Sequence, residues 1–354
     1  MYGIRFLITI KVTIHRGVEH SMLFIDNQGI TDPRINLAIE EYALKYLSTE
    51  QTYLLFYINE PSIIIGKNQN TIEEINMDYV KQQELHVVRR LSGGGAVYHD
   101  LGNLNFSFIT KDDGNSFHNF LKFTEPVIEA LRKLGVEAEL SGRNDIQVGE
   151  RKISGNAQFT TRGRMFSHGT LLFHSEMENV VSALKVKAGK IQSKGIKSIR
   201  SRVANISEFL KEPMTIEEFR FTLLSSIFGM PAEEVPQYKL KDEDWKQIQQ
   251  ISKERYHNWE WNYGKSPKSN MQHSKRFPAG TIDVRLDIEQ GRIKHIKIFG
   301  DFFGVQDVSE LEDKLTGVRY EEKAIRDTLQ GVDVQTYFGQ IEPNDFISLL
   351  TLAS

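Results

Sequence analysis

Two arginines followed closely by three glycines make the sharpest chemical signal in this 354-residue chain. The run is Arg89-Arg90-Leu91-Ser92-Gly93-Gly94-Gly95-Ala96-Val97-Tyr98, with His99-Asp100-Leu101-Gly102-Asn103 behind it. Glycines bare the backbone N–H groups, and a concave run of them binds anions. Arg90 adds fixed charge with a bidentate fork for phosphate or carboxylate, and Tyr98 is an aromatic that could cover a ring. A plain turn between strands competes for the glycines alone; the flanking residues favour a ligand loop. A second cluster is Gly142-Arg143-Asn144-Asp145, followed by Lys152-Ile153-Ser154-Gly155-Asn156-Ala157. A lysine beside a turn is commonly a solvated one. Here the small residues Ser154, Gly155 and Ala157 would let a substrate lie along the strand that carries Lys152. Asn144 and Asp145 sit across the hairpin, an amide and a carboxylate suited to a nucleotide or a magnesium ion.

Two weaker features accompany these. Residues 179–207 contain no acid and seven bases, among them Lys190, Lys194, Lys197 and Arg202. Lacking interleaved aromatics, this is a poor nucleic-acid motif. A phosphate-closing loop and an inert solvated face remain equal readings. His168, within Ser167-His168-Gly169-Thr170, has no readable serine–histidine–acid arrangement and is taken as a lining residue. Gly264-Lys265-Ser266 resembles the end of a P-loop, but Trp259 stands where its first glycine is needed.

The elements that must position these residues follow from periodicity and punctuation. Asp32-Pro33 opens a helix whose Ile35, Ile39, Tyr42 and Tyr46 fall on one face. Short apolar runs at 53–58 and 62–65 read as strands, and 77–85 as a helix leading into the glycine-rich stretch. A helix over 117–134 ends at Gly135. Strands at 146–148 and 152–159 flank Gly149-Glu150, a two-residue hairpin turn, and 166–173 is a further strand. Helices are predicted over 216–228 and 242–257. Strands at 281–288 and 292–298 precede helices near 308–315, 321–329 and 344–350. The polar stretch 262–275 reads as a linker.

Composition sets the outer limits. The chain has no cysteine, which removes disulfides, thiolate metal sites and cysteine nucleophiles. With Lys+Arg 44 against Asp+Glu 47, a net charge of −3 gives no global field for nucleic acid or an anionic membrane. The apolar run 4–14 is too short to span a bilayer and carries Arg5 and Lys11, and no secretory leader is visible. A soluble, cytoplasmic protein of two domains is expected.

The motifs at 89–103, Gly142-Arg143-Asn144-Asp145, Lys152-Ile153-Ser154-Gly155 and His168-Gly169-Thr170-Leu171-Leu172 together resemble the lipoate–protein ligase A family. Trp261-Asn262-Tyr263-Gly264-Lys265-Ser266-Pro267 and Gly300-Asp301-Phe302-Phe303-Gly304 resemble the junction and accessory domain of its two-domain bacterial members. The likeness covers residues 22–354 and leaves 1–21 as an extension of unknown role. It implies an α+β (mixed α/β) fold: a biotinyl/lipoyl ligase-type catalytic domain over 22–262, with mixed sheets flanked by helices. A linker over 263–275 and a small α+β accessory domain over 276–354 would follow. The implied activity joins free lipoate to ATP as lipoyl-AMP and then moves the lipoyl group to a lysine of a lipoyl domain. Acceptors would be E2 subunits of 2-oxoacid dehydrogenases and the glycine cleavage H protein, with Mg2+ as the metal and the enzyme a monomer.

By the same resemblance, Lys152 is the essential lysine, touching both nucleotide and lipoate. Arg90, Ser92, Gly93, Gly94, Gly95, Ala96, Val97, Tyr98, Asn103, Asn144 and Asp145 would contact ATP or lipoyl-AMP, with Asp145 also near the metal. Ser154, Gly155, His168 and Gly169 would line the lipoyl site. Lys190, Lys194, Lys197 and Arg202 would belong to an adenylate-binding loop. Related octanoyl and lipoyl transferases carry the acyl group on a cysteine, which this chain lacks. A biotin–protein ligase would need a basic glycine loop that Arg162-Gly163-Arg164 does not complete, and a non-catalytic module for lipoyl domains would have no use for Lys152.

Overall fold

The computed structural model describes residues 22–184, 202–264, 271–289 and 291–351. The extension 1–21, Lys190, Lys194 and Lys197 of the basic segment, and residues 265–270 of the expected linker lie outside them. The strands are β1 (Met22–Asp26), β2 (Thr52–Ile58), β3 (Ser62–Ile65), β4 (His86–Arg89), β5 (Val97–His99), β6 (Asn103–Lys111), β7 (Ala138–Ser141) and β8 (Asp145–Val148). They continue with β9 (Arg151–Thr161), β10 (Arg164–Leu172), β11 (Gln237–Tyr238), β12 (Met271–Phe277), β13 (Gly280–Glu289) and β14 (Arg292–Gly300). Among the described residues, no helix is long and apolar enough to cross a membrane.

The chain divides into two compact units, neither contiguous in sequence. The first takes Met1–Pro61, His99–Glu178 and Lys190–Glu254; the second takes Ser62–Tyr98, Asn179–Gly189 and Arg255–Ser354.

The first unit is built on a mixed eight-stranded sheet in the order β11-β1-β2-β6-β10-β9-β8-β7. Alternation puts Phe106 and Phe108 of β6, Leu54 and Phe56 of β2 and Met165 of β10 on one face. There they meet Phe123, Val127 and Leu131 of the helix Phe120–Lys133 and Phe219, Leu223 and Leu224 of the helix Ile216–Phe228. Burying each such side chain is worth about 1.5–3 kcal/mol, so this face is the core of the unit.

Helix α1 (Pro33–Tyr46) packs against β2, β6 and β10 as well as the helix Asp242–Ile251. Its start follows the expected logic: the Asp32 carboxylate accepts from the Arg34 N–H, with proline at the first helical position. Its burial departs from a single apolar stripe. Residues 36–44 are buried all round, including Glu40 and Glu41, whereas Tyr46 is exposed. Packing on two sides, by sheet and by helix, leaves little of the helix for water.

The second unit holds two three-stranded sheets. One, in the order β4-β3-β5, sets the parallel pair β3 and β4 beside β5, with Ile63, Ile65, Val80, Val87 and Tyr98 in its core. The other is the antiparallel meander β12-β13-β14, covered by the helices Ser309–Leu315, Glu322–Thr328 and Pro343–Thr351 around Ile282, Val284, Phe338 and Phe346.

Candidate active site

Lys152 owes its place to a hairpin and a bulge. The turn Gly149-Glu150 joins β8 to β9 in the two-residue form, with Gly149 at φ 59. Pairing then slips between Ile146 and Gln147, so that Gln147 opposes Lys152 while Ile146 opposes Ser154. A bulge of this kind re-aims the side chains around it. Ile153 enters the core fully buried, and Lys152 stays about two-fifths exposed. Its Nζ lies 2.8 Å from Asp145 Oδ1. The backbone of Lys152 is held on its other edge by residues 202–204: its N–H donates to Arg202 O at 2.7 Å, and its carbonyl accepts from the Ala204 N–H at 2.9 Å. The described end of the basic segment is thus fastened to the lysine's own strand.

Around this lysine a side chain at 155 would displace the end of Lys152 itself. A Cβ there would stand 2.9 Å from Lys152 Nζ and 3.9 Å from Asp145 Oδ1. The Gly155 N–H donates to Thr170 Oγ1, where the β9–β10 ladder ends at the pair Asn156–Gly169. Asn144 closes the adjoining turn: its carbonyl accepts from the Asn156 backbone N–H and from Asn156 Nδ2, both at 2.9 Å. Ser154 is fully buried, and its hydroxyl accepts from Asn156 Nδ2 at 3.2 Å.

Farther along the same sheet lies a line of buried polar groups. Asn103, Asn105 and Ser107 occupy alternate positions of β6, and His168 of β10 stands opposite Ser107. His168 Nδ1 is 2.9 Å from Glu40 Oε1, both residues being buried. Asn103 Oδ1 and Ser107 Oγ are enclosed with no hydrogen-bond partner among the described residues. A buried polar atom left without a partner costs about 1–3 kcal/mol, so such a line suits a polar ligand group. Gly169 faces the opposite side, against Phe106 and the Asn156 amide.

The glycine-rich loop belongs to the second unit, between β4 and β5. Arg90 is buried there and turns its donors inward: Nε to Ser92 Oγ, Nη1 to Ile64 O, and Nη2 to Gly93 O at 2.6 Å and Gly95 O at 2.9 Å. The guanidinium therefore shapes the loop whose N–H groups would meet an anion. Gly94 takes φ +92, a left-handed conformation that disfavours any other residue, and a Cβ there would crowd Arg90 and the Phe303 ring. Gly95 is open, with nothing within 4 Å of such a Cβ. Ala96 and Val97 are partly exposed and Tyr98 is buried in the small sheet.

Several site residues have no counterpart among the sequence-based expectations. Glu40 was hidden because a helical glutamate ordinarily faces water. Asn105 and Ser107 did carry a signal, since polar residues alternate with Leu104, Phe106 and Phe108 along an otherwise apolar strand. Arg89, to which the sequence assigned no role of its own, is fully buried among backbone carbonyls.

Among the described residues, no group of three or more His, Cys, Asp or Glu could hold a metal ion. The donor set at Asp145 fits a cation that arrives on phosphate oxygens and takes one protein carboxylate, not a resident metal.

Residues 32–228 match the model of the lipoyl protein ligase A/B catalytic domain, and residues 266–350 that of the bacterial lipoate protein ligase C-terminus. The lipoate-protein ligase LplJ of Bacillus subtilis (strain 168) is 69% identical over 330 residues, covering 93% of this chain and 100% of the relative. Among the similar solved structures are two ligases. One is a bi-partite lipoate protein ligase of Thermoplasma acidophilum, described with its E2 lipoyl domain. Its TM-score is 0.62 at 31% identity, over 71% of this chain and 99% of that one. The other is a lipoate-protein ligase A bound with ATP, at TM-score 0.58 and 29% identity, over 70% of this chain and 99% of that one.

Proposed function

The chain belongs to the lipoyl protein ligase A/B family, and from that premise we propose that it is an ATP-dependent lipoate–protein ligase working through lipoyl-adenylate. In the first step a lipoate carboxylate oxygen attacks the α-phosphorus of ATP. The bond from that phosphorus to the bridging oxygen breaks and pyrophosphate leaves. In the second, the neutral ε-amine of an acceptor lysine attacks the acyl carbon. The acyl–oxygen bond breaks, AMP departs, and the nitrogen sheds its extra proton.

The observation that carries this reading is a half-exposed ammonium at Lys152 held by one carboxylate on a bulged strand. Such a charge, placed before reaction begins, stabilises the negative charge gathering on the α-phosphate and on the departing oxygen. The loop residues Ser92, Gly93, Gly94, Gly95, Ala96, Val97 and Tyr98 take the nucleotide, their N–H groups set by the inward-turned Arg90. Asn103, Asn144 and Asp145 are further nucleotide contacts, and Asp145 would supply a protein oxygen to Mg2+. A magnesium ion on the phosphates would neutralise charge and favour the leaving of pyrophosphate. Gly155 and His168 line the lipoyl site with the backbone of Ser154 and Gly169 beside them, and Arg202, at the described end of the basic segment, helps shield the adenylate from water.

The acceptors are lipoyl domains of E2 subunits and the glycine cleavage H protein. The named E2 lipoyl domain of the Thermoplasma relative supports that class. A monomeric, cytoplasmic enzyme whose catalytic and accessory domains meet ahead of β12 completes the proposal, the expected linker 263–275 giving up 271–275 to that strand. The decisive measurement is ATP–pyrophosphate exchange. It should depend on lipoate and vanish in Lys152→Ala, and a panel of purified acceptors should gain the mass of one lipoyl group. Exchange that ignored lipoate, or survived in Lys152→Ala, would remove the basis for this reading.

A further inference from the structure

The least expected group in the second unit is Arg89. It is fully buried, and its guanidinium is spent on neutral oxygens from two separate stretches of chain. Nη1 donates to the carbonyls of Gly66 at 2.9 Å, Lys67 at 3.1 Å and Gln69 at 2.6 Å, and Nη2 donates to Thr71 Oγ1 at 2.7 Å. On another side Nε donates to Trp261 O at 2.8 Å, and Nη2 also reaches Asn262 O. The backbone of Arg89 repeats the connection: its N–H donates to Asn262 Oδ1 at 2.9 Å, and its carbonyl accepts from Trp261 Nε1 at 2.7 Å. Burial, with Arg90 adding to it, pushes the guanidinium down to about 10. A cation so enclosed is costly, and it persists where its donors are fully used.

The first stretch meets the loop that follows Arg89 directly, and the second meets it through Arg89. The turn at 66–71 is the floor of the glycine-rich loop: the Lys67 N–H donates to Ser92 O at 2.8 Å, and a Cβ on Gly66 would lie 1.9 Å from Gly94 O. The helix Trp259–Asn262 is the last element before residue 264. The same floor also bonds β14 and its neighbour: Asn68 O accepts from the Gly300 N–H at 2.8 Å, and Lys67 pairs with Asp307 at 3.0 Å.

We propose that Arg89 is a positioning residue for nucleotide binding: its guanidinium holds the floor of the glycine-rich loop and the helix Trp259–Asn262 in one register, so the loop keeps its anion-binding shape only while both are in place. The argument rests on the reading that this loop takes ATP. Lysine cannot replace arginine, because a single ammonium cannot span carbonyls on opposite sides of a planar fork.

The test compares Arg89→Lys and Trp261→Phe with the parent full-length chain. Phenylalanine keeps an aromatic under Arg255, whose guanidinium sits 4.6 Å from the Trp261 ring, and removes the indole N–H that bonds Arg89 together with the five-membered ring that carries it. In lipoate-dependent exchange, Arg89→Lys should raise the ATP KM by about tenfold and Trp261→Phe by about threefold, with the lipoate KM within about twofold of the parent. A folded Arg89→Lys with the parent's ATP KM overturns the proposal. So does a parallel rise in both KM values, the mark of a general structural loss. If Arg89→Lys fails to fold, Trp261→Phe decides alone, and an unchanged ATP KM there is equally fatal. Calorimetric ATP binding to the same chains separates the two readings. A parent that binds ATP but shows no lipoate-dependent exchange sinks the ligase assignment and leaves the ATP Kd of the variants to judge Arg89; a parent that binds no ATP sinks both.

Discussion

The chemistry concentrates on one half-exposed lysine, and its surroundings make two substitutions informative. Lys152→Ala removes an ion pair with Asp145 in which both side chains are about two-fifths exposed. Exposed pairs contribute at most about 1 kcal/mol, so the melting temperature should hold within about 4 °C while adenylate formation disappears. Gly155→Ala asks a finer question. The new methyl would lie 2.9 Å from Lys152 Nζ, so the ammonium must swing away from its present place while its charge is kept. Exchange should then lose about tenfold or more in kcat, with a smaller change in ATP KM. A parent-like kcat in Gly155→Ala would mean that the observed ammonium position is not the working one.

At the level of elements, α1 and the helix Asp242–Ile251 are tied by a buried carboxylate. Asp244 accepts from Tyr42 at 2.6 Å, from Tyr238 of β11 at 3.0 Å and from the Lys241 N–H at 2.8 Å. Burial alone would raise the Asp244 carboxyl, but the Lys241 N–H and the two tyrosines outweigh it and hold the group below its ordinary value. Stability from this carboxylate is therefore complete above the unfolded value of about 4 and fades as pH falls through the lower folded one. The tyrosines act at the other end. Burial, then the Asp244 hydrogen bond, raises both hydroxyls, Tyr238 to about 12. Their contribution is complete below about pH 10 and is lost as pH climbs through the folded values. Thermal melts across pH should show Asp244→Asn less stable at pH 7, with a shallower acid limb than the parent. Tyr42→Phe should cost about 1 kcal/mol with the acid limb mostly kept. An acid limb unchanged in Asp244→Asn would contradict the assignment.

For the whole molecule, the expected division at 263–275 and the compact units ask different things of a truncated chain. The small sheet at residues 62–98 clusters with Arg255–Ser354. Within that unit a Cβ on Gly94 would touch the Phe303 ring, one on Gly93 would lie 2.4 Å from Phe302 O, and Lys67 pairs with Asp307. Burial alone would raise the Asp307 carboxyl, yet Lys67 and the Ser309 N–H hold it well below the usual carboxylate range. A chain ending at residue 264 should keep the circular dichroism of the eight-stranded sheet and its helices. It should lose ATP affinity by about tenfold or more, because the glycine-rich loop loses the groups that pack on it. Full ATP affinity in the truncated chain would show that those contacts do not shape the loop.

Much of this protein was legible along the chain because the relevant physics is local. A two-residue turn at Gly149-Glu150, a proline-opened helix after Asp32 and the strands flanking each follow from backbone sterics and hydrogen bonding between near neighbours. The glycine-rich run and Lys152 announced themselves by residue type. Other features depend on groups far apart in sequence. That Glu40 meets His168 across 128 positions, and that Arg89 serves Asn262 across 173, were decided only by the tertiary structure. The reason is desolvation: a buried charge or amide must find its partners wherever the fold brings oxygen and nitrogen together, and spacing along the chain carries no record of that meeting.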